Sequence, residues 1–288
     1  MKALGLIFDL SEFGNGKVFI KHTPERKKEL LEKIKQVLAA DVLSPKDAES
    51  LRGRIQWYES YLCGRVANLA IHRVGKRALS TYAHKTTKLD EELKASLKCL
   101  CERIDNGTPL ELSANTEAAI FVFTDGAYEP GATGGSVGGI IFDESGRPLK
   151  FFSETIPSIL LDQFLTEAEN PIYLVELLAC YISVYLLGPE FFGRYVVSYI
   201  DNEASRLALI KAYSSTELGN VVVRLYIRAE ERWQWKNWFG RVCSHSNPAD
   251  APSRFENEEL LRSGATQTQV PWDRVILDFQ SVQHSVWG

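Results

Sequence analysis

The sequence lacks the features that mark secreted, membrane-spanning and disulfide-stabilised proteins. Its most apolar long stretch, residues 173–187, contains Glu176 and is shorter than the roughly 20 residues that a transmembrane helix needs. The N-terminus, MKALGLIFDLSE, has no basic segment followed by a long apolar block, as a signal peptide would have. The 5 cysteines form no CxxC pair, which favours free thiols over a disulfide framework or a zinc ribbon. We therefore expect a soluble intracellular protein, cytoplasmic or nuclear and not secreted.

Glycine and proline are also too scarce for a collagen-like or proline-rich disordered chain, with 20 and 11 residues in a total of 288. The length favours two domains. Charge is divided unevenly between them, because residues 1–100 contain 19 basic and 12 acidic side chains, whereas residues 101–288 contain 14 and 25. A basic first part is typical of a polyanion partner and an acidic second part of bound cations, although a charged run is most often only a solvated face.

The first part of the chain has mainly helical patterns. Two short strands, over residues 3–9 and 17–21, are predicted on either side of the turn residues 14–16. Helices are predicted to begin at Thr23-Pro24 and Ser44-Pro45 and to cover residues 66–74 and 90–104. The segment 75–88 is polar and basic, which is typical of a linker or a phosphate-contacting loop.

Basic and aromatic side chains alternate around two of these helices. Because basic groups neutralise phosphates and aromatic rings stack on bases, the pattern predicts a nucleic-acid-binding surface. The other interpretation, in which the aromatic residues belong to the core and the arginines are merely solvated, stays open. The residues concerned are Arg52, Arg54, Arg65, Arg73, Lys76 and Arg77, with Trp57, Tyr58 and Tyr61 between them.

From residue 117 the pattern changes to alternating strands and helices. Three strands joined by short turns are followed by a very apolar helix over 172–187, and the first of these strands is predicted to end at Thr124-Asp125-Gly126. Later segments predict strands at 195–200 and 234–243, helices at 203–213, 216–233 and 257–262, and a poorly patterned tail. The order predicts an α/β fold with a mixed five-stranded sheet, in which three strands are antiparallel and two are parallel.

Four acidic residues lie at special points of this pattern. Asp125 ends the first strand, Asp201 ends the fourth, Asp250 follows the fifth, and Glu176 lies on the most apolar helix. Each has a simpler explanation on its own, such as a turn or a helix cap. If the first and fourth strands are neighbours, however, the four carboxylates converge and repel each other unless divalent cations lie between them. Oxygen ligands favour Mg²⁺ or Mn²⁺, and two such ions support hydrolysis of a phosphodiester.

Four segments around these acids resemble the acidic motifs of the ribonuclease H domain in retroelement polyproteins. The segments are FTDGA, YLVELLAC, YIDNEAS and SNPADAPSR. The form NPADxxSR looks most like tyrosine-recombinase and Bel/Pao retrotransposons or pararetroviruses. MKALGLIFDL is similar to the hairpin after the polymerase active site of reverse transcriptases, and residues 23–65, with LRGRIQWYESYLCGR, resemble their thumb and connecting helices. The resemblance implies a thumb-like helical region at 1–110, a ribonuclease H-like domain at 115–262 and a tail at 263–288.

The resemblance also implies an activity and the residues that perform it. Asp125, Glu176, Asp201 and Asp250 match the catalytic, metal-binding acids, with two Mg²⁺ or Mn²⁺ ions as cofactors and the RNA strand of an RNA–DNA hybrid as substrate. Selectivity for the hybrid needs contacts to 2′-hydroxyls and to the DNA backbone. The positions expected to make nucleic-acid contacts near the acids are Gly126, Ala127, Asn202 and Ser205.

Two departures from the family pattern bear on this interpretation. His245 lies only five residues before Asp250, where cellular ribonucleases H have a longer loop with a histidine, so a solvent-facing role is favoured over proton transfer. The chain has no YxDD-like motif and no fingers or palm region, so we expect the C-terminal part of a reverse transcriptase, with the missing polymerase region as a partner in a larger polyprotein. Two alternatives remain: an inactive remnant that only binds nucleic acid, and an exonuclease or integrase-like enzyme on the same fold.

Overall fold

The protein is described here from a computed structural model, and it divides into two compact units, Met1–Thr116 and Glu117–His284. The structure describes residues 1–60, 65–79, 87–107, 109–114, 118–131 and 134–284. Within these ranges, no helix combines the length and the apolar character needed to cross a membrane.

The first unit combines four helices with a four-stranded antiparallel sheet whose strands follow chain order. Its elements are β1 (Lys2–Ala3), β2 (Leu6–Asp9), β3 (Lys17–His22), α1 (Pro24–Ala40), α2 (Pro45–Ser60), α3 (Val66–Ala78), α4 (Glu91–Asn106) and β4 (Leu110–Ser113). The helical character agrees with the sequence patterns, but strand β4 was not predicted. Its partner is β3, about 90 residues earlier in the chain, so no local signal marks it.

The helices of this unit begin at the capping residues that the sequence indicates. The hydroxyl of Thr23 accepts a hydrogen bond from the Arg26 amide, and Asp90 accepts one from the Leu93 amide at 2.8 Å. The helices bury one apolar cluster, in which Ile34 and Ile55 have no exposed surface. Helix α3 extends to Ala78, so the start of the predicted linker is helical; residues 80–86 lie outside the described residues.

The second unit is built on a mixed sheet in the strand order β10-β7-β6-β5-β8-β9. Strands β7, β6 and β5 are antiparallel, and β8 and β9 run parallel to β5, which confirms the predicted α/β class and mixed sheet. The elements are β5 (Ile120–Glu129), β6 (Gly134–Phe142), β7 (Pro148–Thr155), α5 (Ser158–Glu167), α6 (Ile172–Leu187), β8 (Tyr195–Ile200), α7 (Glu203–Lys211), α8 (Glu217–Trp233), β9 (Lys236–Arg241), α9 (Asp250–Ser253), α10 (Glu258–Arg262), β10 (Thr266–Gln267) and α11 (Trp272–His284).

The C-terminal segment differs from the predicted tail at 263–288. Residues 266–267 add a short sixth strand parallel to β7, and α11 packs within the second unit. Helix α11 buries Val275, Phe279 and Val282, whose spacing is helical, and Phe279 lies 5.9 Å from Phe164 of α5, another helix that was not predicted. Because these contacts join segments over 100 residues apart, the helical spacing gained its meaning only in the folded unit.

Strand β5 is longer than predicted, and this determines the position of Asp125. The strand continues to Glu129 because its pairing with β6 persists, with Asp125 opposite Gly138. Its pairing with β8 ends earlier, at Thr124 opposite Ile200. Asp125 is therefore the first residue of β5 beyond the end of β8, rather than a turn residue.

Helix α6 lies against β5 and is buried along most of its length. The two elements approach closely at Gly126, where an added Cβ atom would lie 2.7 Å from Cγ1 of Val175 and 3.0 Å from the amide nitrogen of Glu176. The buried position of Gly126 thus explains the need for glycine by packing, rather than by the nucleic-acid contact that the sequence predicted. It brings the helix segment that carries Glu176 next to Asp125.

We predict that Gly126→Ala destabilises the second unit by about 1–3 kcal/mol, because the added methyl group must displace the α6 backbone. The measurement is native-state hydrogen exchange of the β5 amides. Gly53→Ala on α2 is the control, since an added Cβ there meets nothing within 4 Å and should leave its helix as stable or slightly more stable. Unchanged exchange of β5 in Gly126→Ala would contradict the packing role.

Candidate metal centre

Three acidic side chains meet at the edge where strand β8 ends. Asp125 comes from β5, Glu176 from α6, and Asp201 directly follows β8. One carboxylate oxygen from each residue lies within 4.8 Å of the other two. The parallel pairing of β5 and β8 brings the two aspartates together, and the close approach of α6 adds the glutamate. The sequence prediction that these three acids converge is confirmed in geometry.

The three carboxylates are poorly solvated. Asp125 and Glu176 are only 5 % and 4 % exposed. In the described part of the chain, Oε2 of Glu176 and Oδ1 of Asp201 are buried without a hydrogen-bond partner. Because a buried, unpaired carboxylate oxygen is costly, this group favours a bound cation or a bound proton.

The pKa values express the same constraint. Burial, together with the charges of Asp201 and Asp125, raises the pKa of Glu176 to about 10. Burial also raises the pKa of Asp125 to about 6, assisted by Asp201 and Asp250, and the hydrogen bond from Ser253 only partly offsets this. Without a cation, Glu176 therefore holds a proton at neutral pH.

Asp250 lies beside this group but is not one of its three members. It opens the short helix α9, is partly exposed, and accepts a hydrogen bond from Nε of Arg254 at 2.9 Å. Its charge nevertheless contributes to the raised pKa of Asp125. The predicted convergence of four carboxylates thus becomes three close groups and one neighbour, because the fourth follows a loop and an ion pair rather than a strand end.

The positions predicted to contact nucleic acid near the acids have different surroundings. Asn202 caps α7, where its Oδ1 accepts a hydrogen bond from the Ser205 amide at 3.0 Å. Ser205 has no exposed surface and donates to the carbonyl oxygen of Tyr173, so its predicted contact with nucleic acid is wrong. Ala127 is partly exposed, and its contact stays a prediction. His245 is exposed in a short turn, as expected.

In the first unit, the aromatic residues described serve mainly the interior. Tyr58 is buried and stacks on His22, with ring centroids 3.7 Å apart. Trp57 is half-buried beneath the guanidinium of Arg26 at 4.7 Å. The interpretation of these rings as core therefore fits better than the one in which bases stack on them; Tyr61 lies outside the described residues.

The predicted basic positions of this unit fall into two groups. Arg54 forms an ion pair with Glu29, and Arg77 donates to the carbonyl oxygen of Lys88, so both guanidinium groups already serve the fold. Arg52 and Lys76 are exposed, and Arg65 is half-buried at the start of α3. Binding of nucleic acid by these side chains stays a prediction.

One residue of the site was not singled out from the sequence. The hydroxyl of Ser253, three residues after Asp250, donates a hydrogen bond to Oδ2 of Asp125. Ser253 belongs to the segment SNPADAPSR, and its position in that motif was the available signal. Its partner is 128 residues away in the chain, so the contact itself is visible only in the fold.

The chain is similar to solved structures of ribonucleases H. LC11-RNase H1, isolated from compost by a metagenomic approach, has 18 % identity and a TM-score of 0.40, covering 50 % of this chain and 99 % of that chain. RNase H1 from Halobacterium salinarum has 17 % identity and a TM-score of 0.38, covering 49 % and 98 %. The N-terminal RNase H domain of Mycobacterium tuberculosis rv2228c has 10 % identity and a TM-score of 0.35, covering 52 % and 100 %.

No protein-family model matches the chain, and no curated protein matches it in sequence. The identities and TM-scores of the similar structures are low. The assignment to the α/β class therefore depends on the chain's own mixed sheet, in which β5 has one antiparallel and one parallel neighbour.

The raised pKa values predict how the stability of the metal-free protein depends on pH. A carboxyl whose pKa is higher in the folded than in the unfolded state destabilises the fold increasingly as pH rises above its unfolded value. For Glu176 this window runs from about 4.5 to about 10. We expect Glu176→Gln to remove this cost and to raise the free energy of unfolding at pH 8 by about 1–3 kcal/mol.

The measurement is urea unfolding in EDTA at several pH values between 5 and 9. Glu144→Gln, which removes an exposed acid in a turn, should keep the slope of the wild-type protein. If Glu176→Gln were no more stable than wild type across this range, Glu176 would not be the strained, buried acid that we describe.

Proposed function

We propose that the protein is a metal-dependent nuclease that hydrolyses the RNA strand of RNA–DNA hybrids. The observation that carries this proposal is the meeting of three buried carboxylates, two of which have an oxygen without a hydrogen-bond partner in the described part of the chain. A cluster of this kind costs folding free energy unless it serves a ligand of positive charge. The four sequence motifs that resemble retroelement ribonucleases H supply the reaction.

The residues present fit a divalent cation. Their donors are carboxylate oxygens, which Mg²⁺ and Mn²⁺ prefer, and their spacing places several oxygens around one point. Asp125, Glu176 and Asp201 would hold the cation, and Asp250 would supply a further carboxylate for a second ion. Bound ions of this kind activate the attacking water and stabilise the leaving 3′ oxygen.

The chain's own residues prepare this chemistry. Glu176 has to release its proton before it can act as a ligand, so cation binding should become tighter as pH rises. The burial of Asp125 and Glu176 keeps competing water away from the carboxylates, which strengthens their attraction for a cation. Arg254, paired with Asp250 at the margin, places a positive group where a substrate phosphate would approach.

We also propose that the first unit holds the hybrid in the manner of a reverse-transcriptase thumb. The excess of basic residues in positions 1–100 and the exposure of Arg52 and Lys76 support this role. The resemblance of its sequence to the thumb and connecting helices supports an origin in the C-terminal part of a retroelement reverse transcriptase. The polymerase region of the same polyprotein would then be its natural partner.

Cleavage of a labelled RNA–DNA hybrid in Mg²⁺ tests the activity. Wild-type protein should cut the RNA strand and leave 5′-phosphate and 3′-hydroxyl ends. Asp201→Asn should lower the rate by about 10²–10³-fold, because it removes one negative ligand of the centre. Glu144→Gln, an exposed acid outside the cluster, should cut like the wild-type protein.

The other candidates give different results in the same assay. Hybrid binding without cleavage at any Mg²⁺ or Mn²⁺ concentration would identify a remnant that only binds nucleic acid. Cleavage of single-stranded DNA in preference to the hybrid would indicate an exonuclease or integrase-like enzyme. Activity that survives Asp201→Asn would show that the cut is made elsewhere.

Binding of the hybrid tests the first unit. The double variant Arg52→Ala, Lys76→Ala should weaken binding and lower the salt dependence of the affinity by about two ion contacts. Arg262→Ala on α10, where the guanidinium pairs with Glu258, serves as the control. A fluorescence-anisotropy titration at several salt concentrations measures both quantities, and equal salt dependence in the double variant and wild type would contradict the assignment.

A further inference from the structure

Ser253 connects two acidic residues that lie far apart in the chain. Its side chain has no exposed surface, its hydroxyl donates to Oδ2 of Asp125, and the same hydroxyl lies 2.9 Å from the carbonyl oxygen of Asp250. A serine has only one hydroxyl proton, and the charged carboxylate is the stronger acceptor. The hydroxyl therefore belongs to the surroundings of Asp125.

The turn that carries Ser253 is fixed to the sheet beneath it by buried side chains. The hydroxyl of Ser136 donates to the carbonyl oxygen of Ser253, and that of Ser153 donates to the carbonyl oxygen of Pro252, each at 2.6 Å. At Gly138 on β6, an added Cβ atom would lie 2.3 Å from the amide nitrogen of Ser253. The backbone of Ser253 is thus held in place independently of its own hydroxyl.

We propose that Ser253 is a positioning residue of the metal centre, whose hydroxyl fixes the orientation of the Asp125 carboxylate and its place relative to Asp250. This inference rests on the proposed function. A hydrogen bond to one carboxylate oxygen restricts rotation about the Cβ–Cγ bond, so the direction of the other oxygen is fixed before a cation arrives. Because the donor comes from the turn that begins at Asp250, it also couples the fourth acid to the first.

The anchoring serines provide a matched control. Ser136 and Ser153 hold the same turn through backbone carbonyl groups, and their printed hydrogen bonds involve no acidic side chain. If the turn needed only to stay in place, Ser136→Ala should affect the centre as much as Ser253→Ala. If orientation of Asp125 matters, only the second substitution should change cation binding.

The test titrates the full chain with MnCl₂ by calorimetry and measures hybrid cleavage against Mg²⁺ concentration. Ser253→Ala should weaken Mn²⁺ binding and raise the half-saturating Mg²⁺ concentration, each by about tenfold, with a smaller effect on the rate at saturating Mg²⁺. Ser136→Ala should stay within about twofold of wild type in both. Ser253→Cys, which keeps the buried volume with a weaker donor, should fall between wild type and Ser253→Ala and replaces it if the alanine variant does not fold.

The outcomes separate this inference from the proposed function. Wild-type protein that neither binds Mn²⁺ nor cuts the hybrid would overturn the function and this inference with it. Wild-type protein that does both, with Ser253→Ala and Ser253→Cys binding Mn²⁺ as tightly, would overturn the inference alone. Equal losses in Ser136→Ala and Ser253→Ala would assign the effect to anchoring of the turn and would likewise overturn it.

Discussion

The mutual repulsion of three buried carboxylates is the constraint on which the second unit depends. Asp125, Glu176 and Asp201 come within 4.8 Å, and burial raises the pKa of two of them. The unit tolerates this arrangement because the rest of its interior is apolar and well packed, with α6 buried along most of its length. A centre of this kind trades stability for affinity, since the same desolvation that strains the empty protein strengthens attraction for a cation.

The most informative signal in the sequence was a charge in the wrong surroundings. Glu176 could be predicted because an acid in an apolar helix demands a partner, and Asp201 because it follows a buried strand. The location of Asp125 could be predicted but not its setting, since the Asp-Gly pair resembles a turn while β6 in fact carries the strand onward. Asp250 and Ser253 could not be placed, because a loop and buried serine hydroxyls, rather than a strand, determine where they lie.

The two units also differ in how far local patterns determine them. Capping residues such as Thr23 and Asp90 fixed the starts of helices, because capping acts within a single turn. Strands β4 and β10 were missed, since short strands gain stability only from partners distant in the chain. The role of Trp57 and Tyr58 was equally invisible, because an aromatic residue on a basic helix has the same spacing whether it faces the interior or a ligand.

The central claim is that Asp125, Glu176 and Asp201 form a seat for divalent cations. Anomalous diffraction from crystals of the protein grown with MnCl₂ tests it most directly. We expect manganese peaks between the three carboxylates, with a further peak toward Asp250 when a hybrid is bound. Crystals that contain manganese elsewhere but none at these carboxylates, at a pH at which Glu176 is ionised, would contradict the account.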